Sequence, residues 1–380
     1  MTPTSSQHVQ ATWAVRLQFF VSGALFATWG VHVPTLKLHY ALGEQALAIA
    51  MLAAGVGAVA TLTQAGRIVG LYGPRRAAMV SGALCVFGVA ALLVSKHYGV
   101  LLALMVVFGV GTSLFDVSIN AAASDLERLD GRSLMSGFHG MFSLGGMAGA
   151  AVGSVMLARQ VAPNAHLVGA ALCSLVAIVV AGALMLRTVV GAPGEGPRFA
   201  LPRGLLALLG ILAALGLIAE GAMYDWSVLY MTQELGSEPG FAALAYASFS
   251  AAMAAARFGG DWVRERVTPQ LLVSASAALA AVSMAGVLWI AHPVVALVGF
   301  ALVGLGFANV VPVLFSTAAK VDANPAHGIA VVASLGYLGM MAGPPLIGVI
   351  AEYSSLTAGL FSVVVFAAVL SAGARRALRQ

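Results

Sequence analysis

Glu220 and Asp225 stand in the stretch EGAMYDWSVLY (220–230), inside an apolar run that begins near Leu205. Two further ionisable groups share that setting: Asp116 in FDVSINAAASDLER (115–128) and His139 in SGFHGMFSLGGMAG (136–149). A charge at mid-bilayer costs about 2.5–3.5 kcal/mol on insertion scales, so such residues face a cavity or a partner. Carboxylates and an imidazole held in apolar surroundings suit the uptake and release of protons and the binding of a polar solute. These four residues are the proton-coupling candidates.

Helical spacing sorts them. Asp116 and Asn120 are four residues apart and share a face, with Ser113 adding to the stripe. Asp116 and His139 lie at similar depth, where they could meet as a carboxylate–imidazole pair; the alternative is a fixed structural pair near the inner mouth. Glu220 and Asp225, five residues apart, are separated by about 7.5 Å along the axis and point about 140° apart. They cannot form one acid pair by themselves. Glu220 shares a face with Tyr224, and Asp225 with Gly221 and Leu229. Glu220, near the middle of its run, is the better placed for coupling or solute contact, and Asp225 suits a gate or a structural contact. Trp226 reads as packing or an interfacial anchor.

The elements that must position these groups follow from composition. The 380-residue chain is 60% hydrophobic and 9% charged, where a soluble domain would be about a quarter charged. Runs of about 20 apolar residues, each able to cross a hydrocarbon core of roughly 30 Å, predict spans near 13–35, 45–66, 76–95, 99–121, 133–157 and 165–188. A second set falls near 204–232, 240–258, 270–291, 293–318, 327–351 and 355–374. Isolated segments in lipid must satisfy their own backbone hydrogen bonds, so the spans are helices. An outer-membrane barrel would show alternating segments of about ten residues instead. The polar start MTPTSSQHVQ lacks the basic opening of a signal peptide, so the first run reads as a retained helix. Cys85 and Cys173 both fall within spans and read as packing residues, with no disulfide expected.

With an even number of spans and the amino terminus inside, all of the nineteen Lys and Arg except Lys37, Lys96 and Arg159 fall on the cytoplasmic side. That is the positive-inside pattern, and it places both termini in the cytoplasm. The net charge of +5 therefore reflects topology, and no nucleic-acid partner is expected.

Residues 189–203 (VVGAPGEGPRFALPR) form a Gly- and Pro-rich linker between residues 1–188 and 204–380, each holding six spans. Motifs recur across it. FSLGGMAG (142–149) and GYLGMMAG (336–343) agree at five of eight positions. GALFATW (23–29) matches GAMYDW (221–226) with one gap, and GVG (109–111) matches GLG (304–306). The turns GRIVGLYGPRR (66–76) and ARFGGDWVRER (256–266) occupy equivalent places. Four matches in one order argue for duplicated six-helix units, an architecture of transporters.

On these features the chain resembles the major facilitator superfamily over its whole length. The family's cytoplasmic turn, G-x-L-x-D-R-x-G-R-R, is met here by Gly66, Ile68, Gly73, Arg75 and Arg76. Pro74 replaces the first of the closing arginines, and Gly70 and Leu71 replace the Asp and Arg. The repeat copy keeps Asp261, and Arg257 stands at the inner end of its helix. The resemblance implies an all-α integral membrane fold, twelve transmembrane helices in two pseudo-symmetric six-helix bundles, and a gating role for these turns. The segments around Asp116, His139 and Glu220 also look like a bacterial branch near the fucose–proton symporters. By that resemblance spans one, four, seven and ten line a cavity. Trp29, Asn120, Tyr224 and Asn309, with Tyr337 in the repeated motif, are then substrate-binding candidates alongside Asp116 and Glu220, while His32 lies with Trp29 in the outer half of span one. Each lone aromatic could equally be packing.

Absences narrow the chemistry. No Lys or Arg occupies the middle of a span, which disfavours anionic cargo. There is no phosphate-cradling G-x-x-x-x-G-K-[ST], no metal-ligand spacing and no readable catalytic triad, so neither a cofactor nor an enzymatic reaction is expected. The reading is a bacterial inner-membrane secondary transporter. It would move a small polar solute, a sugar or related metabolite, by alternating access with proton symport, and the family implies a monomer. A proton-coupled exporter of cationic or amphipathic compounds is the alternative, and a non-transporting solute sensor a more distant one.

Overall fold

The computed structural model describes residues 5–131, 134–186, 203–322 and 325–378, and of Ser5, Asp261, Pro325, Ala326 and Ala330 the backbone alone. Except for Arg203, the expected linker 189–203 lies outside the described residues. The first half holds α1 (Ser5–Val31), α2 (Val33–His39), α3 (Glu44–Tyr72), α4 (Pro74–Ala91), α5 (Tyr98–Asp130), α6 (Met135–Ala158) and α7 (Pro163–Leu184). The second holds α8 (Gly204–Gln233), α9 (Pro239–Phe258), α10 (Gly260–Arg264), α11 (Pro269–Ile290), α12 (Pro293–Phe307), α13 (Val310–Val321), α14 (Pro325–Tyr353) and α15 (Leu356–Ala377).

Among the described residues, eleven stretches are long and apolar enough to cross a bilayer. The expected third span is α4, an 18-residue helix with Arg75 and Arg76 in its first turn. The expected tenth span is two helices, α12 and α13, separated at Ala308 and Asn309. The fourth extends beyond its apolar run: α5 continues through the polar SDLERLD, because no helix breaker intervenes before Gly131. That glycine adopts φ 67° and closes the helix. Proline supplies many of the starts, at the first or second position of α2, α4, α7, α9, α11 and α12, where its missing N–H has no intrahelical partner to lose.

Contacts divide the chain into two compact units. The first is Met1–Ala41 with Ala50–Gly196, and the second is Leu42–Ile49 with Pro197–Gln380. In the first, α1 packs against α6 and α7, and α4 against α5 and α7. The second repeats this arrangement, with α8 against α14 and α15, and α11 against α12 and α15.

The repeated glycines explain themselves here. A Cβ on Gly145 would strike the carbonyl of Phe20, and one on Gly149 would lie 2.7 Å from that of Ala24. Their counterparts 194 residues later, Gly339 and Gly343, meet Ala214 and Ile218 of α8 at 2.6 and 3.2 Å. Each unit thus closes its first helix against its fifth span along one small-residue seam, the packing that lets membrane helices approach closely.

The opening turn of α3 counts with the second unit. Its Gln45 N–H donates to Glu352 Oε2 at 3.0 Å, a cap supplied by α14. Without such partners the first N–H groups of a helix are unpaired.

Candidate functional site

In the second unit the polar groups gather between α8 and α9. Glu220, in the middle of α8, accepts a hydrogen bond from Arg257 Nη2 at 3.1 Å, with side-chain exposures of 11% and 14%. Such charge-assisted contacts are about twice as strong as neutral ones. One turn further along α8, Tyr224 sets its ring 5.1 Å from that of Tyr246 and edge-on to Phe249 at 5.0 Å. Its hydroxyl donates to Met253 Sδ at 3.3 Å. A buried ion pair therefore adjoins an aromatic wall of three rings. Asp225 is half-buried on α8, and Trp226 is fully buried, its ring close to Gly348 of α14.

Arg257 departs from its expected place. Its backbone is in the last turn of α9, as the sequence implies. Its guanidinium nevertheless reaches back to the middle of α8, so a basic group does enter the interior of this unit. The disfavouring of anionic cargo loses its basis at that point.

In the first unit Asp116 and Asn120 are both half-buried on α5. Asn120 Nδ2 donates to Asp116 Oδ1 at 3.0 Å and to the Asp116 carbonyl at 2.9 Å. Asp116 takes this carboxamide as its partner and does not pair with His139. His139, half-buried on α6, meets the Phe19 ring edge-on at 5.3 Å. Trp29 is buried at 4% exposure and packs its ring 6.2 Å from Phe108. His32 is fully buried at the break between α1 and α2, with Nε2 2.8 Å from Nδ1 of His166 on α7.

The remaining candidates are dispersed. Gly73 joins α3 to α4 as a single residue at φ 78° and ψ 151°, a region open almost only to glycine. Gly66 is exposed on α3, Arg75 is half-buried and Arg76 exposed. Asn309 donates through Nδ2 to the Ala256 carbonyl at 3.4 Å, joining the break between α12 and α13 to α9. Tyr337 is 40% exposed on α14. The backbone of Asp261 lies in α10, and its side chain falls outside the described residues. Cys173, expected to pack, is exposed on α7, while Cys85 is buried on α4.

Tyr246, Phe249 and His166 join these clusters without having been singled out from sequence. Tyr246 and Phe249 carry the same signal as Tyr224, aromatic rings inside an apolar span. His166 carries the signal of His139, an imidazole near a span end. Among the described residues no three His, Cys, Asp or Glu side chains gather as metal ligands. The groups gathered here can bind protons, form hydrogen bonds and offer aromatic faces.

Comparison with known proteins gives a consistent picture. The family model of the Major Facilitator Superfamily matches residues 17–344. An uncharacterized MFS-type transporter of Yersinia pestis is 32% identical over 99% of this chain and 97% of its own length. The membrane protein MosC of Rhizobium meliloti is 30% identical, covering 92% of this chain and 86% of its own. Among solved structures, that of a D-xylose–proton symporter superposes with a TM-score of 0.78 over 98% of each chain at 14% identity, a likeness of fold.

Proposed function

The chain belongs to the major facilitator superfamily and is a multi-pass membrane transporter, and we propose that it takes up a small polar solute by alternating access with proton symport. A sugar or related metabolite of the kind handled by sugar–proton symporters is the favoured cargo. The assignment includes a monomer in a bacterial inner membrane with both termini in the cytoplasm, and a place near the fucose–proton symporter branch.

One observation carries the coupling. Asp116 is half-buried on a membrane-spanning helix, and its hydrogen-bond partner is a neutral carboxamide. An anion without a counter-charge in that setting is costly, and taking up a proton relieves the cost. Glu220 differs, because Arg257 already balances it. The coupling role moves accordingly from Glu220 to Asp116. The ion pair and the Tyr224–Tyr246–Phe249 wall then serve solute contact, since an aromatic face beside charged hydrogen-bonding groups suits a polyol. The same pair cancels one negative charge that an exporter of cations would use, which weighs against that alternative.

The test is a thermal-shift screen of the purified protein against sugars, nucleosides, amino acids and cationic drugs at two pH values, followed by uptake into proteoliposomes. A sugar that stabilises the protein more at the lower pH, and enters vesicles with protons, supports the reading. Stabilisation confined to cationic drugs would replace it with export, and ligand binding without flux would make the protein a sensor.

A further inference from the structure

We propose that the first unit holds one acyl chain of a bilayer phospholipid in a groove between α1, α6 and α7, with His166 donating a hydrogen bond to that lipid's ester carbonyl. The groove measures about 570 Å³, and Leu17, Ala24, Thr28, Gly149, Cys173 and His166 are among its walls. Along α1 it runs from Leu17 to Thr28. At 1.5 Å per residue that is about 16 Å, close to half of a hydrocarbon core of roughly 30 Å. Its length therefore matches the depth of one leaflet. The glycine seam draws α6 tightly onto α1. On α7, Ala165, Gly169 and Cys173 stand four residues apart, all line the groove and all are exposed, so it opens along that helix.

The polar end is specific. His166 is 94% buried, its exposure being 6%. Its Nδ1 meets His32 Nε2, while its Nε2, itself buried, has no hydrogen-bond partner among the described residues. His32 Nδ1 lies 3.2 Å from Thr35 Oγ1. If the Thr35 hydroxyl donates to His32 Nδ1 and His32 Nε2–H donates to His166 Nδ1, the proton of His166 rests on Nε2 and lacks an acceptor. A buried donor left unpaired is unfavourable. An ester carbonyl is an acceptor only, so an occupant that parts the side chains covering Nε2 completes the chain and selects this tautomer. Water fits less well because it needs two to four polar partners, and apart from His166 the groove offers only Thr28, Cys173 and Ser174 among apolar walls.

The full chain, purified in mild detergent, is examined by native mass spectrometry as detergent is increased. One phospholipid per chain should persist after the others are stripped. Gly169→Phe fills the groove from a position whose Cβ meets nothing within 4 Å, and it should abolish retention. Val176→Trp, at an exposed position of the same helix outside the groove, should leave retention unchanged. His166→Ala should weaken retention about tenfold. No retained lipid in the wild type, equal retention in Gly169→Phe, or the mass of a free fatty acid would overturn the proposal, and unchanged retention in His166→Ala would overturn its hydrogen bond. A measurement without substitution guards against misfolded variants. Adding phosphatidylglycerol to delipidated protein should slow N-ethylmaleimide labelling of Cys173 at least tenfold, with Cys85 buried and silent; unchanged labelling would overturn the groove's occupancy.

Discussion

Arg257 Nη2 lies 3.1 Å from Glu220 Oε1, so the last turn of α9 is tied by charge to the middle of α8. Removing either partner leaves an uncompensated charge in a buried setting, which costs about 3–5 kcal/mol in comparable pairs. Glu220→Gln and Arg257→Gln should each lower the thermal midpoint of the purified protein markedly, and the double variant should recover most of the loss. A double-mutant cycle measures the coupling; additive effects would show that the two side chains do not depend on each other.

Asp116→Asn preserves the size of the side chain and removes its ability to take a proton. The variant should fold, bind solute, and exchange it across the membrane without responding to a pH gradient. Wild type moving one proton per neutral solute should accumulate about tenfold per pH unit, the equivalent of 1.36 kcal/mol. A potential of 100 mV should add about 2.3 kcal/mol. Uptake in proteoliposomes with imposed gradients checks both, and wild-type uptake rising as outside pH falls is the expected sign. A variant that keeps the full gradient response would remove Asp116 from the coupling step.

Tyr224 offers solute contact a ring supported by two others. Tyr224→Ala removes two aromatic pairs worth about 0.5–1.5 kcal/mol each and should raise KM about tenfold or more. Tyr224→Phe keeps the rings and should separate the hydroxyl's share. Equal KM values in all three proteins would make this wall structural only.

The glycine seam predicts opposite signs for one kind of substitution. Gly145→Ala sets a methyl group against the Phe20 carbonyl, and overpacking of that kind costs about 1–3 kcal/mol. Gly286→Ala, in α11, meets nothing within 4 Å and should gain about 0.5–1 kcal/mol from reduced chain entropy. Thermal midpoints of the two variants decide it.

The helices are legible because an apolar run of about 20 residues is a local signal and lipid leaves it no other backbone conformation, and the repeat because both seams need small residues at the same spacing. The Asp116–Asn120 contact was legible for the same reason, being one helical turn long. Arg257 was hidden by its side chain: the depth of a Cα says little about where a long, flexible guanidinium arm ends. His32 and His166 are 134 residues apart, and no periodicity reports a pairing made through tertiary packing. The extent of α5 past the span at 99–121 is not legible from hydropathy, because loss of hydropathy marks the end of a span, while only a breaker such as Gly131 marks the end of a helix.

The cap on α3 has a consequence in time. Gln45 and Glu352 are separated by 307 residues. A chain made from its amino terminus at about 5–20 residues per second completes α3 roughly 15–60 s before Glu352 exists. Through that interval the first turn of α3 must be held by water or lipid headgroups, and its final anchorage waits until α14 has been made.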